Sequence, residues 1–450
     1  MLSMKKAQIP FLVFFLFVSL LCSAGTLEDI GRIPDNKPLF TIHGSNTIGA
    51  HLGPNLLKAY LSSKGVKDTE IKASGVENEV IVGGFFNNRP VSVYVAAHGS
   101  STGFKGLYSE EATLAAASRP IKDKENNLFP TVDMIDSEHE YVLGIDGLAI
   151  IVHQSNPVNR LDIDQLGQIF AGKINNWSQV GGLDLPITIY ARDDKSGTFD
   201  TFDSQVLGRG YELSGKAKRF ESNEQLSDLV SKDRGAIGFT ALATINNAKA
   251  ILINDIGATA FYPDKNTIAT EDYPLARRLY FYTARNDNPF VADFLRFATG
   301  PEGQNIVEQT GFVSQNILSY ANKPMDDMPV GYKILAQRSQ RLSVNFRFRG
   351  DNMELDNKAR ADVKRLKQFF GQSENTNKQI ILFGFSSETS HQIRSSLTSE
   401  LRVMKVKEAL RLAGIDAPIE LGGYGDINPV ATNTNIAYAQ KNNRVEVWIR

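Results

Sequence analysis

The sequence predicts an α/β protein of two domains, a large α/β domain followed by a small α+β domain. Its 450 residues exceed what one hydrophobic core usually supports. Up to about Thr310, short apolar runs alternate with amphipathic helical stretches, and a second series of strands and helices begins near Leu342. With 42% hydrophobic and 22% charged residues, the composition excludes collagen, wholesale disorder and a polytopic membrane protein.

The large domain is predicted from elements that alternate along the chain. Its strands are expected at Leu39–Ile42, Val91–Ala96, Leu148–Val152, Ile187–Tyr190 and Ile237–Phe239. Its helices are expected at Leu52–Leu61, Ile163–Phe170 and Phe290–Ala298. Such alternation favours a layered fold in which helices cover the faces of a sheet.

The small domain follows a segment that we expect to be a linker, residues 314–340. That segment is mixed and polar and contains Pro324 and Pro329. In the domain that follows, residues 341–450, we expect three strands, Ser343–Phe348, Gln379–Phe385 and Arg444–Ile449, and two helices, Asn357–Phe370 and Thr398–Ala413. This order indicates a small α+β domain.

The N-terminus has the features of a secretory signal peptide, residues 1–24. Lys5 and Lys6 precede an apolar run, Phe11–Leu21, which is followed by Cys22, Ser23 and Ala24. A basic start, a short apolar stretch and small residues at the cleavage point predict export to the periplasm. Two alternatives are an uncleaved anchor and lipidation at Cys22. The apolar run is short for a membrane span, and Leu21 stands where lipoprotein signals carry a small residue.

Several chemistries are excluded by the residues that are missing. Cys22 is the single cysteine, so the exported chain would have no disulfide, thiol nucleophile or cysteine-ligated metal. None of the six histidines has a metal-ligand spacing, and no nucleophile elbow, P-loop or dinucleotide fingerprint is present. We therefore expect no metal, no cofactor and no enzymatic activity.

Charge is distributed unevenly between the two domains. The whole chain has a net charge of -1, which does not indicate a nucleic-acid partner. Residues 341–450 hold 17 basic and 12 acidic side chains, and the rest of the chain holds 32 and 38. The difference suggests two modules with different partners.

The sharpest local pattern is the turn from Arg192 to Thr198, which follows a predicted strand and precedes a predicted helix. The backbone N–H groups of such a turn point at one place, where the helix dipole favours an anion. Ser196 and Thr198 add hydroxyl donors, and Gly197 allows close approach of the backbone. Arg192 can donate a planar fork to two oxygens, and Asp194 could hold that fork in place. A plain capped helix is the alternative.

Two further turns are of the same kind. Residues 44–47 (GSNT) and residues 99–103 (GSSTG) each follow a predicted strand and precede a helical stretch. Each alone could be an ordinary helix cap. Three such turns together predict a cleft where several helix starts converge on one oxyanion.

Residues 37–313 resemble the PstS-type periplasmic phosphate-binding proteins of ABC importers. The turn at 192–198 matches the family pattern R-x-D-x-S-G-T, and further matches follow in family order at residues 144–149, 168–177, 235–239, 273–280 and 300–304. The resemblance implies a type II periplasmic-binding-protein fold for residues 25–313, a two-lobed clamshell that closes on its ligand.

The same resemblance implies a set of phosphate ligands. They are Ser45, Thr47, the amide of Ile48, Ser100, Ser101, Ser118, Arg192, Asp194, Ser196, Gly197 and Thr198. One position departs from many relatives, which carry Asp where this chain has Arg119. That Asp would accept the proton of hydrogen phosphate, so the preference for phosphate over sulfate is open.

Residues 342–450 resemble the OmpA-like peptidoglycan-binding domain. Matches include residues 346–348, 384–387, 399–403, 423–425 and 442–446. In that family an Asp and an Arg hold a zwitterionic residue of the cell-wall peptide. Arg402 matches the Arg, but Ser387 replaces the Asp. The resemblance implies peptidoglycan binding through Arg402 and Ser387, and a scaffold that no longer binds the wall is the alternative.

Together these observations predict an exported, non-enzymatic protein that captures inorganic phosphate in a cleft between lobes. Its tail would tether it to peptidoglycan or near the outer membrane, and an ABC permease is an expected partner. The alternative is an envelope structural, adhesive or phosphate-sensing protein that reuses the clamshell without transport. A phosphatase built on this fold is a third reading, because fold alone does not fix function.

Overall fold

The structure is a computed structural model that describes residues 37–194, 196–285, 287–321, 328–349, 353–387 and 392–450. The expected signal peptide and Cys22 lie outside these ranges. No helix within them is both long enough and apolar enough to cross a membrane.

The large domain contains thirteen strands, nine α-helices and several short helical turns among its described residues. The strands are β1 (Thr41–Gly44), β2 (Lys67–Ala73), β3 (Glu79–Phe86), β4 (Arg89–Ala96), β5 (Leu114–Ala117), β6 (Glu140–Val152), β7 (Arg160–Asp162), β8 (Thr188–Arg192), β9 (Lys218–Phe220), β10 (Ala236–Ala241), β11 (Lys249–Ala250), β12 (Leu252–Asn254) and β13 (Ala276–Tyr282). The α-helices are α1 (Gly53–Ser63), α2 (Ser100–Tyr108), α3 (Asp123–Asn126), α4 (Ile163–Phe170), α5 (Gly197–Gln205), α6 (Asn223–Lys232), α7 (Lys265–Ala269), α8 (Pro289–Thr299) and α9 (Pro301–Gln309). A π-helix covers Ile48–Leu52, and 3₁₀ turns cover Trp177–Val180, Leu207–Arg209 and Leu242–Thr244.

One long strand divides this domain into two lobes. The main sheet has the order β2-β3-β4-β1-β5-β13-β6-β10-β8-β9, with β11 also paired to β6. The first part of β6, Glu140–Gly147, pairs with β13, whereas Leu148–Val152 pairs with β10. Lobe 1 therefore lies on the β1–β5 side, lobe 2 lies on the β8–β10 side, and β6 and β13 form the crossing between them.

Each lobe has its own hydrophobic core. In lobe 1, α1 and α8 pack on the sheet through residues such as Leu56, Tyr60 and Phe294. In lobe 2, α4 and α5 pack through Phe170 and Phe202 against β10. Separate cores joined by crossing strands allow rigid lobes to move about a hinge. The predicted α/β clamshell is confirmed.

The C-terminal domain is built on a five-stranded sheet of order β14-β15-β18-β16-β17. Its strands are β14 (Ser319–Ala321), β15 (Gln340–Arg347), β16 (Ile380–Gly384), β17 (Ile419–Gly423) and β18 (Arg444–Ile449). Its helices are α10 (Val330–Gln337), α11 (Asn357–Phe370), α12 (Gln392–Leu412) and α13 (Ile436–Ala439), and a 3₁₀ turn covers Gln440–Asn442. Residues from α11 and α12 cover one face of the sheet. The α+β class is confirmed.

The segment expected to be a linker contributes to this domain instead. Its strand β14 pairs with β15, and its helix α10 packs on the second face of the sheet. Tyr332 of α10 lies against Phe383 and Trp448, with ring centroids 4.5 and 5.9 Å away. Tyr332 and its aromatic partners are distant in sequence. The polar composition of residues 314–340 therefore did not reveal that this segment packs on the sheet.

The rest of the second sheet face is buried against the large domain. Asp272, 1% exposed, accepts hydrogen bonds from Arg341 (2.6 Å) and Asn345 (2.8 Å). Arg347 and Arg444 approach the same carboxylate at 3.5 and 3.9 Å. Although desolvation raises the pKa of Asp272, these arginines together hold it below its ordinary value. The two domains are joined by buried charges as well as by the chain.

Candidate functional site

The strongest sequence pattern forms a strand-to-helix turn in lobe 2. Strand β8 ends at Arg192, and α5 begins at Gly197. Ser196 caps the helix, because its hydroxyl oxygen accepts from the backbone N–H groups of Thr198 (3.2 Å) and Phe199 (3.3 Å). The first backbone N–H groups of α5 have no carbonyl partner within the helix, so this end attracts an anion.

Arg192 is held by the neighbouring loop of lobe 2. Its Nε donates to the carbonyl of Phe220 (3.1 Å), and its terminal nitrogens donate to Glu221 O and Asn223 Oδ1. Burial lowers the pKa of Arg192 against the opposing effect of nearby carboxylates, and arginine stays charged at neutral pH. The guanidinium is thus a buried, pre-positioned cation.

The expected role of Asp194 in holding Arg192 is wrong. The Asp194 side chain is 82% exposed and pairs with Arg219 instead. After β8 the chain turns outwards, so this carboxylate points to solvent while backbone carbonyls and Asn223 hold Arg192.

The first turn of lobe 1 faces this helix start. Gly44 has φ +138°, and a Cβ there would lie 2.0 Å from the carbonyl oxygen of Ala116, so only glycine fits. Ser45 follows, 1% exposed, and its hydroxyl is buried without a hydrogen-bond partner among the described residues. A buried hydroxyl of this kind is costly unless a ligand satisfies it. Ile48 packs in the core of lobe 1, which leaves only its backbone to contact a ligand.

The two lobes touch at the floor of the cleft. A Cβ on Gly197 would lie 2.1 Å from Thr47 Oγ1, so the helix start of lobe 2 is packed directly on the turn of lobe 1. Beneath them Arg277 of β13 donates to Thr47 Oγ1 (2.9 Å), to the Gly197 carbonyl (2.6 Å) and to Asp146 (3.2 Å). Because Thr47 accepts from Arg277, its own proton can be donated to a ligand.

A cavity of about 560 Å³ opens above this floor. Its lining includes groups from both lobes, namely Asn46, Thr47, Asp146, Arg192, Ser196, Gly197, Thr198, Ser222 and Asn223. Glu221 and Glu224 also line it, so anion attraction depends on the local donors and Arg192 rather than on net charge. The arrangement is suited to an oxyanion with several oxygens.

The third sequence-predicted turn does not line this cavity. Ser100, at the start of α2, accepts from the Ser118 amide (3.2 Å), and Ser101 donates to Glu125 (3.2 Å). Arg119 donates to both Glu125 oxygens, at 2.7 and 2.8 Å. These side chains bond to one another, and Ser100, Ser101 and Ser118 do not line the cavity. Arg119 is held away from the cavity as well.

Sequence reasoning missed Arg277 and Asn223. Asn223 sits at the first position of α6 and has no distinctive local pattern. Arg277 lies in a buried strand, and a charged residue there was the available signal of a functional role. Its partners come from residues 47, 146 and 197, which only the folded chain brings together.

In the C-terminal domain, Arg402 and Ser387 occupy different settings. Arg402 is 4% exposed on α12, and its guanidinium carbon lies 5.5 Å from the Phe348 ring centroid. The Ser387 amide donates to Asn443 (2.7 Å).

Among the described residues of the whole chain, no group of three or more metal-ligating side chains could hold a metal ion.

Comparison with known families agrees with this architecture. Residues 78–302, half of the chain, match the PBP superfamily domain. The chain belongs to the PBP superfamily. Residues 347–444 match the OmpA family, so the C-terminal domain is an OmpA domain. Both predicted resemblances are confirmed.

Relatives of the large domain carry the name phosphate-binding protein PstS. The one from Borreliella burgdorferi is 26% identical over 317 residues, covering 69% of this chain and 99% of the relative. The one from Staphylococcus saprophyticus is 29% identical over 238 residues, covering 51% and 73%. Among solved structures, an ABC-type phosphate transport receptor from Vibrio cholerae is 26% identical, covers 61% of this chain and 99% of its own, and has a TM-score of 0.48.

Removing one partner of the buried Arg277–Asp146 pair should destabilise the crossing of the lobes. Among the described residues, Arg277→Met leaves the Asp146 carboxylate, 6% exposed, with the Thr201 hydroxyl at 3.3 Å as its remaining hydrogen-bond partner. We expect a loss of about 3–5 kcal/mol, because a buried charge loses its partner. Thermal unfolding measures the loss. The double variant Asp146→Asn/Arg277→Met should recover part of it, and a single variant as stable as the parent would contradict this account.

Proposed function

We propose that this protein captures inorganic phosphate in the cleft between its two lobes. The observation that carries the proposal is the meeting of the Thr47 turn of lobe 1 and the capped start of α5 of lobe 2 beside the buried guanidinium of Arg192. Backbone donors, hydroxyls and one arginine fork suit a tetrahedral oxyanion. The PstS names of the relatives support phosphate as that anion.

The ligand set differs in part from the one the sequence suggested. We assign direct contacts to Thr47, Arg192, Ser196, Gly197 and Thr198, which line the cavity. Ser45 and the Ile48 amide are adjacent donors that would take part if the anion sits deep against β1. Ser100, Ser101, Ser118 and Asp194 are not assigned.

Titration calorimetry of the full-length chain with phosphate tests the proposal. Arg192→Ala should weaken phosphate binding by about ten- to hundredfold, because hydrogen bonds to a charged group are worth about 1.5–3 kcal/mol. Asp194→Ala is the matched control, since this residue lies in the same turn but points to solvent. It should bind phosphate like the parent protein.

Sulfate in the same titration tests specificity. Arg119 is bound to Glu125 and supplies no proton acceptor to the cavity, and the carboxylates that line it are Asp146, Glu221 and Glu224. Equal binding of the two anions would mean that none of these carboxylates accepts a hydrogen bond from the proton of hydrogen phosphate. The absence of heat with either anion would overturn the proposed function and favour a structural role in the envelope.

We further propose that the OmpA domain associates the protein with peptidoglycan in the periplasm. The family match supports this role, with Arg402 as the anion-binding residue, while Ser387 offers no carboxylate. A capture protein held at the wall could deliver phosphate to an ABC permease, the partner expected from the PstS resemblance. None of these roles requires catalysis, and we infer that the protein is not an enzyme.

Peptidoglycan pull-down tests this second part. Arg402→Ala should lower the retained fraction at least about fivefold, through loss of one charge-assisted contact. Arg394→Ala, an exposed arginine at the start of the same helix, is the control and should be retained like the parent. Equal retention of Arg402→Ala, with its melting temperature unchanged, would show that Arg402 does not bind the wall.

A further inference from the structure

The OmpA domain touches lobe 1 through the start of α11. Asn357 donates to the Ile135 carbonyl (2.9 Å) and to Glu140 Oε1 (3.0 Å), and Arg349 donates to the same carbonyl. Ile135 follows Met134, which is fully buried in a core of lobe 1. These contacts therefore bind the OmpA domain to lobe 1 and to the first residue of the crossing strand β6.

The same domain touches lobe 2 through the loop before α13. The Thr432 amide donates to Asp255 (3.2 Å), and Thr259 donates to Asn428 Oδ1 (2.7 Å). Asp255 directly follows β12, whose Ile253 is buried in the core of lobe 2. One domain is thus attached to both lobes.

The third attachment is to the crossing strand β13 itself. Arg278 donates to Asp356 of the OmpA domain (2.8 Å) and also pairs with Glu271. The preceding residue, Arg277, faces the opposite side of the strand and binds Thr47 and Gly197 at the cleft floor. Adjacent residues of one strand therefore connect the anion cavity to the OmpA domain, because successive side chains of a strand point to opposite faces.

We propose that the OmpA domain is a brace across the hinge, which favours the arrangement in which the two lobes meet at Thr47 and Gly197. Opening the lobes would break the contacts to one lobe or the other. The brace would thereby raise the population of the binding-competent state and tighten phosphate binding. This inference rests on the proposed phosphate function for its effect on affinity, but not for its effect on the lobes.

The test is a full-length variant, Arg349→Ala/Asn357→Ala, that removes the side-chain hydrogen bonds to lobe 1. Both residues belong to the OmpA domain, and alanine is well tolerated at the start of α11. Lys405→Ala/Gln368→Ala is the matched control, because both side chains are exposed on helices of the same domain and Lys405 pairs with Glu408 of its own helix. A second variant, Asp356→Asn, keeps a good N-cap for α11 while removing the charge opposite Arg278.

Two measurements are made on each protein. Spin labels on Lys58→Cys in lobe 1 and Asp228→Cys in lobe 2, with Cys22→Ser, report the distance between the lobes by pulsed electron spin resonance. Calorimetry reports the Kd for inorganic phosphate. Without phosphate, Arg349→Ala/Asn357→Ala and Asp356→Asn should each show a longer and broader distance distribution than the parent and the control. Their Kd should rise by about tenfold, as expected from the loss of one or two polar contacts.

An unchanged distance distribution in both test variants would overturn the proposal that the OmpA domain is a brace. A longer distance with an unchanged Kd would overturn its link to affinity. If the parent protein binds no phosphate, the proposed function fails, and the distance measurement still decides whether the OmpA domain restrains the lobes.

Discussion

The buried carboxylate of Asp272 is the interaction on which the arrangement of the domains depends. It lies among Arg341, Arg347 and Arg444 in the interface, and Asn345 and Thr270 also donate hydrogen bonds to it. Removing one partner from such a group leaves an uncompensated buried charge, at a cost of about 3–5 kcal/mol. Separation of the domains would break all of these charged contacts together. The sheet face that carries these arginines is therefore an interface, although its alternating polar pattern is typical of a solvent-exposed face.

The crossing strands connect this interface with the cleft. Strand β6 passes through both lobes. Strand β13 places Arg277 beneath the cavity, against Thr47 and Gly197, and Arg278 against the OmpA domain. A tail attached by a flexible linker would leave the clamshell to move independently. Here the same two strands join the two lobes, carry the Arg277–Asp146 pair beneath the cavity and contact the OmpA domain. Under the proposed function, capture of phosphate and attachment to the envelope would be properties of one assembled unit.

The parts of the structure that were predictable are those encoded by local patterns. The alternation of strands and helices gave both fold classes, and the turn at Arg192–Thr198 marked the start of α5 and one wall of the cavity. Helix α12 begins at Gln392, six residues before its predicted start, because exposed residues such as Arg394 obscure the apolar period there.

The remaining features depend on contacts between distant residues. Strand β14 has three residues and exists because β15 pairs with it, which no local signal in a polar segment reveals. Arg277 and the Asp272 cluster gather partners separated by tens to hundreds of residues. Ser100 and Ser101 matched the anion-turn pattern, yet their hydroxyls are used by Ser118 and Glu125. Composition and spacing describe donors, but only the fold decides what those donors bind.

Small-angle X-ray scattering of the intact chain in 0.5 M salt tests the central claim most directly. Salt screens surface attractions but has little effect on buried charge pairs. A docked OmpA domain predicts the scattering curve of a single compact particle that matches the described structure and does not change with salt. A larger radius of gyration, as expected for two domains joined by a flexible linker, would contradict the account.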